Sequence, residues 1–201
     1  MKRLAAISLM FAMLAIALLV NARTTVADIP APPIIGATVG DFTLPDTSGA
    51  AQSLASLKGR NGTVLIFIAV QCPVSNGYNE RMEKLAQEYK ARGINVVGIN
   101  SNSTDSATDV KNHAAKNNLT FPILKDDGSK IADLLGATRT PEAYFLDAAN
   151  KLLYHGRIDY SRDITQVNSS ELREALDATL AGKPVPKTTA NAFGCSIRRP
   201  A

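Results

Sequence analysis

Most of the chemistry open to this chain lies in two cysteines far apart in the sequence, Cys72 and Cys195. Cys72 follows an apolar, β-prone run from Thr63 to Val70 and precedes Pro73, a residue accepted in the first turn of a helix. A thiol placed between a strand and a helix start lies near free backbone N–H groups and the positive end of the helix dipole. Both stabilise thiolate, the reactive form. The plainer alternative is an inert cysteine packed as a small hydrophobe. Cys195 stands in Phe193-Gly194-Cys195-Ser196-Ile197, an apolar-flanked stretch of a polar tail, which reads as a segment that docks. Two cysteines are too few for a disulfide-rich scaffold or a four-thiolate zinc site, but they can make one redox pair. The two histidines fall on a predicted helix (His113) and a predicted strand (His155). One anchored thiolate with scattered imidazoles makes a poor selective metal site. Asp105 and Asp126-Asp127-Gly128 read as cap and turn residues, so neither metal nor cofactor is expected.

The elements that must position these residues follow from periodicity. Lys2 and Arg3 precede an apolar run from Leu4 to Val20, and small residues precede both Arg23 and Asp28. That order is the pattern of a secretory signal peptide over 1–27, with an uncleaved anchor as the alternative. A cleaved leader predicts a periplasmic or secreted protein with no stable membrane anchor. After a Pro-rich lead-in, Asp41 to Leu44 and Gln52 to Leu54 flank a turn cluster and predict a small hairpin. Thr63–Val70 and Ile94–Ile99 predict strands buried on both faces. Between them, Tyr78, Met82, Leu85 and Tyr89 make one apolar stripe on a helix from Pro73 to Arg92, ended by Gly93. A helix over Asp105–Asn118 with an Asp or Ser cap, a short strand over Phe121–Leu124 and a short helix over Lys130–Leu135 follow. Glu142–Leu146 and Leu152–Tyr154 predict a hairpin, and a helix with Leu172, Leu176 and Leu180 stops at Gly182. This order describes one α/β domain over 28–182, a central mixed sheet flanked by helices, with a tail over 183–201 carrying Cys195. Its site belongs at the carboxyl tips of the buried strands, where the first tip ends at Gln71-Cys72.

Composition narrows the function classes. The chain has 201 residues, 45% hydrophobic and 20% charged, a globular balance. Its formal net charge of +4 invites a nucleic-acid reading, but Lys2, Arg3 and Arg23 all precede residue 28, where no acid occurs. The remainder is nearly neutral, so no nucleic-acid partner is expected. The sequence holds no phosphate loop and no defensible Ser-His-Asp order.

The strand, Cys72-Pro73-Val74-Ser75, the long helix and the later Thr140-Pro141 before a strand together resemble the thioredoxin-like superfamily. Gly40-Asp41-Phe42-Thr43-Leu44 and Leu57-Lys58-Gly59 resemble the entry of its redoxin branch, the alkyl hydroperoxide reductase/thiol-specific antioxidant group. The resemblance implies a thioredoxin-like fold and an oxidoreductase in which Cys72 attacks. Its substrate would be a protein or small-molecule disulfide, or a peroxide, and an external thiol would reduce it again. By the same resemblance Pro141 takes the place of the cis-proline beside the thiol, with Thr140 aiming a backbone group at the substrate. Arg139 is a candidate donor to a thiolate or peroxide oxygen, or else a surface arginine.

The departures are informative. Thioredoxins carry a second cysteine three residues on, where this chain has Ser75; Gln71 replaces the usual Trp, and Ile66 the buried acid. Peroxiredoxins want Pro seven and Thr or Ser three residues before their cysteine, and Leu65 and Ala69 hold those positions. A C-x-x-S site cannot resolve a mixed disulfide locally, so turnover needs another thiol. Cys195 is the candidate resolver of Cys72; a static disulfide, a bond between two chains and a free thiol are the alternatives. The rival functions are a thioredoxin-like copper carrier, although the short cysteine pair of that group is absent, and a redox-inactive binding module.

Overall fold

The structure is a computed structural model that describes residues 33–200. The expected leader over 1–27 lies outside the described residues. A small hairpin comes first, β1 (Thr43–Pro45) and β2 (Ala51–Ser53). The second strand stops at Ser53, not Leu54. Ser53 and Ser56 form a reciprocal capping box, which turns the chain into the four-residue helix α1 (Leu54–Leu57).

The central sheet is built from β3 (Gly62–Phe67), β4 (Ile94–Asn100), β5 (Ile123–Lys125), β7 (Glu142–Leu146) and β8 (Leu152–Gly156), in the order β5-β4-β3-β7-β8. The first three run parallel, while β7 and β8 are antiparallel to their neighbours. This is the mixed sheet expected, in a thioredoxin-like arrangement. A separate two-stranded pair joins β6 (Arg139–Thr140) to β9 (Cys195–Ser196), which the periodicity does not predict.

The expected helix over Pro73–Arg92 is two pieces, α2 (Pro73–Asn76) and α3 (Asn79–Ala91). The break falls at Gly77-Tyr78, where the Arg162 side chain packs over Gly77 and occupies the space a Cβ would need. The other helices are α4 (Ala107–Lys116), capped by Ser106, α5 (Lys130–Leu135) and α6 (Glu171–Leu180).

Side chains alternate between two cores, as a strand period of two requires. Val64, Ile66, Val96 and Phe145 face α3, α4 and α6, meeting Met82, Leu85, Val110, Leu172 and Leu176. Leu65, Phe67, Val97, Ile99 and Tyr144 face α5 and the hairpin side, meeting Ile131, Leu135 and Leu54. The tail uses both cores. Val185, Ala190 and Phe193 pack on the first, and Ile197 is buried in the second. Between Phe193 and Ile197 the chain therefore crosses the end of the sheet, carrying Cys195 over it.

Candidate active site

β3 delivers the chain to Cys72, which is the N-cap of α2 with extended backbone and is 2% exposed. Its sulfur accepts the Ser75 N–H at 3.3 Å, and as a thiol it donates to the Thr140 carbonyl at 3.2 Å. α2 is a single turn, so the local N–H matters more than a macrodipole. Ser75, at the position of a second cysteine, is buried and accepts the Ala69 N–H at 3.4 Å. It braces the loop that carries Cys72.

Thr140 stands at the centre of the arrangement. Its peptide bond to Pro141 is cis, and it pairs with Cys195 in the β6–β9 ladder. That pairing sets the two cysteines side by side. The Cys195 thiol and backbone N–H are near enough to the Cys72 sulfur to favour its charged form.

The two thiols are pushed in opposite directions. Burial by itself raises Cys72, but the Cys195 thiol, the Ser75 N–H and Thr140 outweigh it and hold Cys72 below the ordinary thiol range. Burial and the Cys72 partner raise Cys195. Of the two, Cys72 is therefore the thiol that gives up its proton first. Both are free thiols here. The two neighbouring thiols thus differ in acidity, Cys72 being the more acidic.

Two glycines let the tail come this close. Gly194 has φ +143, and a Cβ on it would overlap the Thr140 carbonyl; Gly156 has φ +151, and a Cβ there would overlap the Ala190 backbone. Downstream, the Ile197 N–H donates to the Thr138 carbonyl at 3.0 Å, and Arg199 donates to Asp133 and to the Ala137 carbonyl.

Arg139 is turned to the tail. Its guanidinium donates to Ser196 Oγ at 3.1 Å and to the Gly194 carbonyl at 3.5 Å, so it braces the strand that carries Cys195. His113 sits beside Asn79 and Asn117, and His155 beside Glu142. Among the described residues no three His, Cys, Asp or Glu side chains come together as a metal site.

Two acids escape a reading by sequence pattern. Asp105, expected as a cap, is 2% exposed, and it accepts the Val70 N–H at 3.0 Å and the Asn100 side-chain amide at 2.9 Å. It fixes the loop two residues before Cys72, while Ser106 does the capping. Glu142 is a buried carboxylate directly after Pro141. The one signal for it is a charge opening a predicted strand that is otherwise apolar.

The chain matches the model of the AhpC/TSA family over residues 35–155. It is 29% identical over 119 residues to the thiol-disulfide oxidoreductase ResA of Bacillus thuringiensis, covering 59% of this chain and 67% of that protein. It is 29% identical over 140 residues to the chloroplastic peroxiredoxin Q of Sedum lineare, covering 65% and 74% respectively. The crystal structure of an uncharacterized conserved protein from Geobacillus kaustophilus superposes with a TM-score of 0.78 at 32% identity. That match covers 84% of this chain and 94% of the other.

Proposed function

Because the chain belongs to the AhpC/TSA family, we propose that its thiol-dependent oxidoreductase chemistry runs on Cys72 as attacking thiol and Cys195 as resolving thiol. One observation carries this: the β6–β9 ladder sets Cys195 opposite Thr140, whose carbonyl holds the Cys72 thiol, and the neighbouring thiols shift in opposite directions, Cys72 down and Cys195 up. An inert binding module would have no use for such a split.

The substrate in this reading is a disulfide. The Cys72 thiolate attacks one sulfur, the substrate S–S bond breaks, and one thiolate leaves as a mixed disulfide forms. Cys195 then gives up its proton and attacks Cys72, releasing the second substrate thiol and closing a Cys72–Cys195 bond. The substrate gains two electrons and two protons, and the chain loses them. An external dithiol reverses the oxidation by two further exchanges. The likeness to a thiol-disulfide oxidoreductase supports this order.

Burial favours a second substrate class. With Cys72 only 2% exposed beneath the tail, a small oxidant reaches it more readily than a folded protein does. The thiolate would attack the O–O bond of a peroxide, release an alcohol or water, and become a sulfenic acid. Cys195 would displace water from it to give the same intrachain bond. The likeness to a peroxiredoxin supports this alternative.

The sequence pattern over 1–27 supports an activity outside the cytoplasm, in a periplasm or a secreted fraction, with 28–182 as the working domain and 183–201 as the tail that brings Cys195 to it. The test is turnover of a small disulfide and of hydrogen peroxide by the reduced protein, followed by non-reducing peptide mapping. A Cys72–Cys195 peptide and loss of turnover in Cys72→Ser are expected. The ratio of kcat/KM for the two substrates decides between them. Turnover that survives Cys72→Ser, or a Cys195 that stays free after oxidation, overturns the reading.

A further inference from the structure

Glu142 opens β7 and is 4% exposed, in a strand whose residues are all buried, yet it touches neither sulfur. A carboxylate in such a place has to be hydrogen-bonded on both oxygens or be neutralised. Here its bonds converge on the segment before Cys195's partner. One oxygen accepts the backbone N–H groups of Thr138 at 2.8 Å and Arg139 at 2.9 Å. The other lies 2.5 Å from His155 Nε2 and accepts the Tyr144 hydroxyl at 3.3 Å. His155 is stacked on Tyr144 with ring centroids 4.3 Å apart, which fixes the imidazole.

The groups held in this way belong to the machinery that seats the tail. Thr138 and Arg139 lead directly into Thr140, whose carbonyl accepts the Cys72 thiol hydrogen bond and which pairs with Cys195. The Thr138 carbonyl accepts the Ile197 N–H. The His155 N–H donates to the Thr188 carbonyl at 3.0 Å, and the His155 carbonyl accepts from Ala190 at 3.1 Å. The Glu142–His155 pair thus ties the tail upstream of Cys195 to the short strand that receives Cys195. β6 has only two residues and two ladder partners, Ser196 and Cys195, so its own pairing is too short to set the register. A slip of one residue would turn the Cys195 side chain to the opposite face.

We propose that Glu142 is a positioning residue for the resolving step: it anchors β6 so that Cys195 meets Cys72, and His155 holds its carboxylate in place. The role rests on the reading of Cys195 as the resolving thiol. The step it serves is attack of the Cys195 thiol on oxidised Cys72, which forms the S–S bond and releases water from a sulfenic acid or a thiol from a mixed disulfide. First attack by Cys72 depends on the sulfur and its donors, so the two steps should separate.

The experiment uses the full reduced chain with Glu142→Ala, Glu142→Gln and His155→Phe, each checked for folding by circular dichroism. One equivalent of hydrogen peroxide is added, and two rates are followed by quenched mass spectrometry: oxidation of Cys72, and formation of the Cys72–Cys195 bond. Glu142→Ala should slow bond formation relative to Cys72 oxidation by about tenfold or more, with sulfenic acid trapped by dimedone. Glu142→Gln should recover part of that loss, because its remaining oxygen still accepts the Thr138 and Arg139 N–H groups. His155→Phe keeps the stack on Tyr144 and should fall between them. A wild-type ratio of the two rates in folded Glu142→Ala overturns the role, as does an equal fall in both rates. If Glu142→Ala does not fold, a wild-type ratio in both other variants overturns it. A wild-type chain that forms no Cys72–Cys195 bond overturns the reading of Cys195, and this role with it; a wild-type chain that does form it separates the two failures.

Discussion

Gly194 passes so close to Thr140 that any side chain on the glycine would overlap the Thr140 carbonyl, the same carbonyl that accepts the Cys72 thiol proton. Approach of the tail and seating of the Cys72 sulfur therefore depend on one oxygen. Gly194→Ala should strain the tail by about 1–3 kcal/mol, the usual cost of a non-glycine residue in such a conformation. That predicts a roughly 5- to 150-fold slower Cys72–Cys195 bond, read by time-resolved non-reducing mapping, with faster alkylation of the uncovered Cys72.

Reactivity at Cys72 should persist below the ordinary thiol range, because the neighbours that hydrogen-bond to the sulfur favour its charged form. The pH profile of iodoacetamide labelling, resolved by peptide, should show Cys72 with the lower midpoint and Cys195 with the higher. Cys195→Ala removes a donor to the thiolate and should move the Cys72 midpoint up by about one pH unit, the size expected for one hydrogen bond to a charged group. An unchanged midpoint would assign the shift to the Ser75 N–H and Thr140 alone.

Ile197 anchors the far end of the tail by burial in the second core. Ile197→Ala should loosen that anchor by about 2–5 kcal/mol. Hydrogen exchange should then speed up at the Ile197 and Ser103 amides, which bond to Thr138 and Arg198 across the tail, while the β3–β4 ladder stays protected. Equal loss of protection in the ladder would make the tail part of the global folding unit.

Glu171 is 2% exposed and accepts from Arg157, from Lys187 of the tail at 3.3 Å and from Ser169 at 3.0 Å. Burial alone would raise it, but these partners lower its pKa from 4.5 to about 2. A depressed carboxylate contributes fully above its unfolded value and loses that contribution as pH falls through its folded value. The stability gap between the wild type and Glu171→Gln should therefore be constant near neutrality, up to about 3 kcal/mol. It should close between pH 4.5 and about 2 in chemical denaturation. A gap that survives at the acid end would place its origin outside this ionisation.

Export makes its own prediction. Small residues precede both Arg23 and Asp28, so intact-mass analysis of periplasmic material should find a mature chain beginning at one of them. Recovery of only the full-length chain in membranes would contradict it.

Much of the framework was legible in one dimension because local rules govern it. Unbroken apolar runs marked β3 and β4, and the strand-to-Pro73 junction marked Cys72 as a thiol at a helix start. The order of Cys72, Ser75 and Thr140-Pro141 carried the redoxin resemblance, and Ser75 in place of a second cysteine pointed to Cys195. Tertiary structure decided the rest, through contacts between segments remote in sequence. No local pattern says that Gly194 can press against Thr140, that Ile197 plugs the second core, or that Cys195 consequently reaches Cys72. Arg139 was legible as a charge near the site, but its direction toward Ser196 depends on where the tail lies. Asp105 and Glu142 look like ordinary surface acids until the packing around them removes water. A buried carboxylate must then bond to whatever surrounds it, and here that is the backbone on either side of the two thiols.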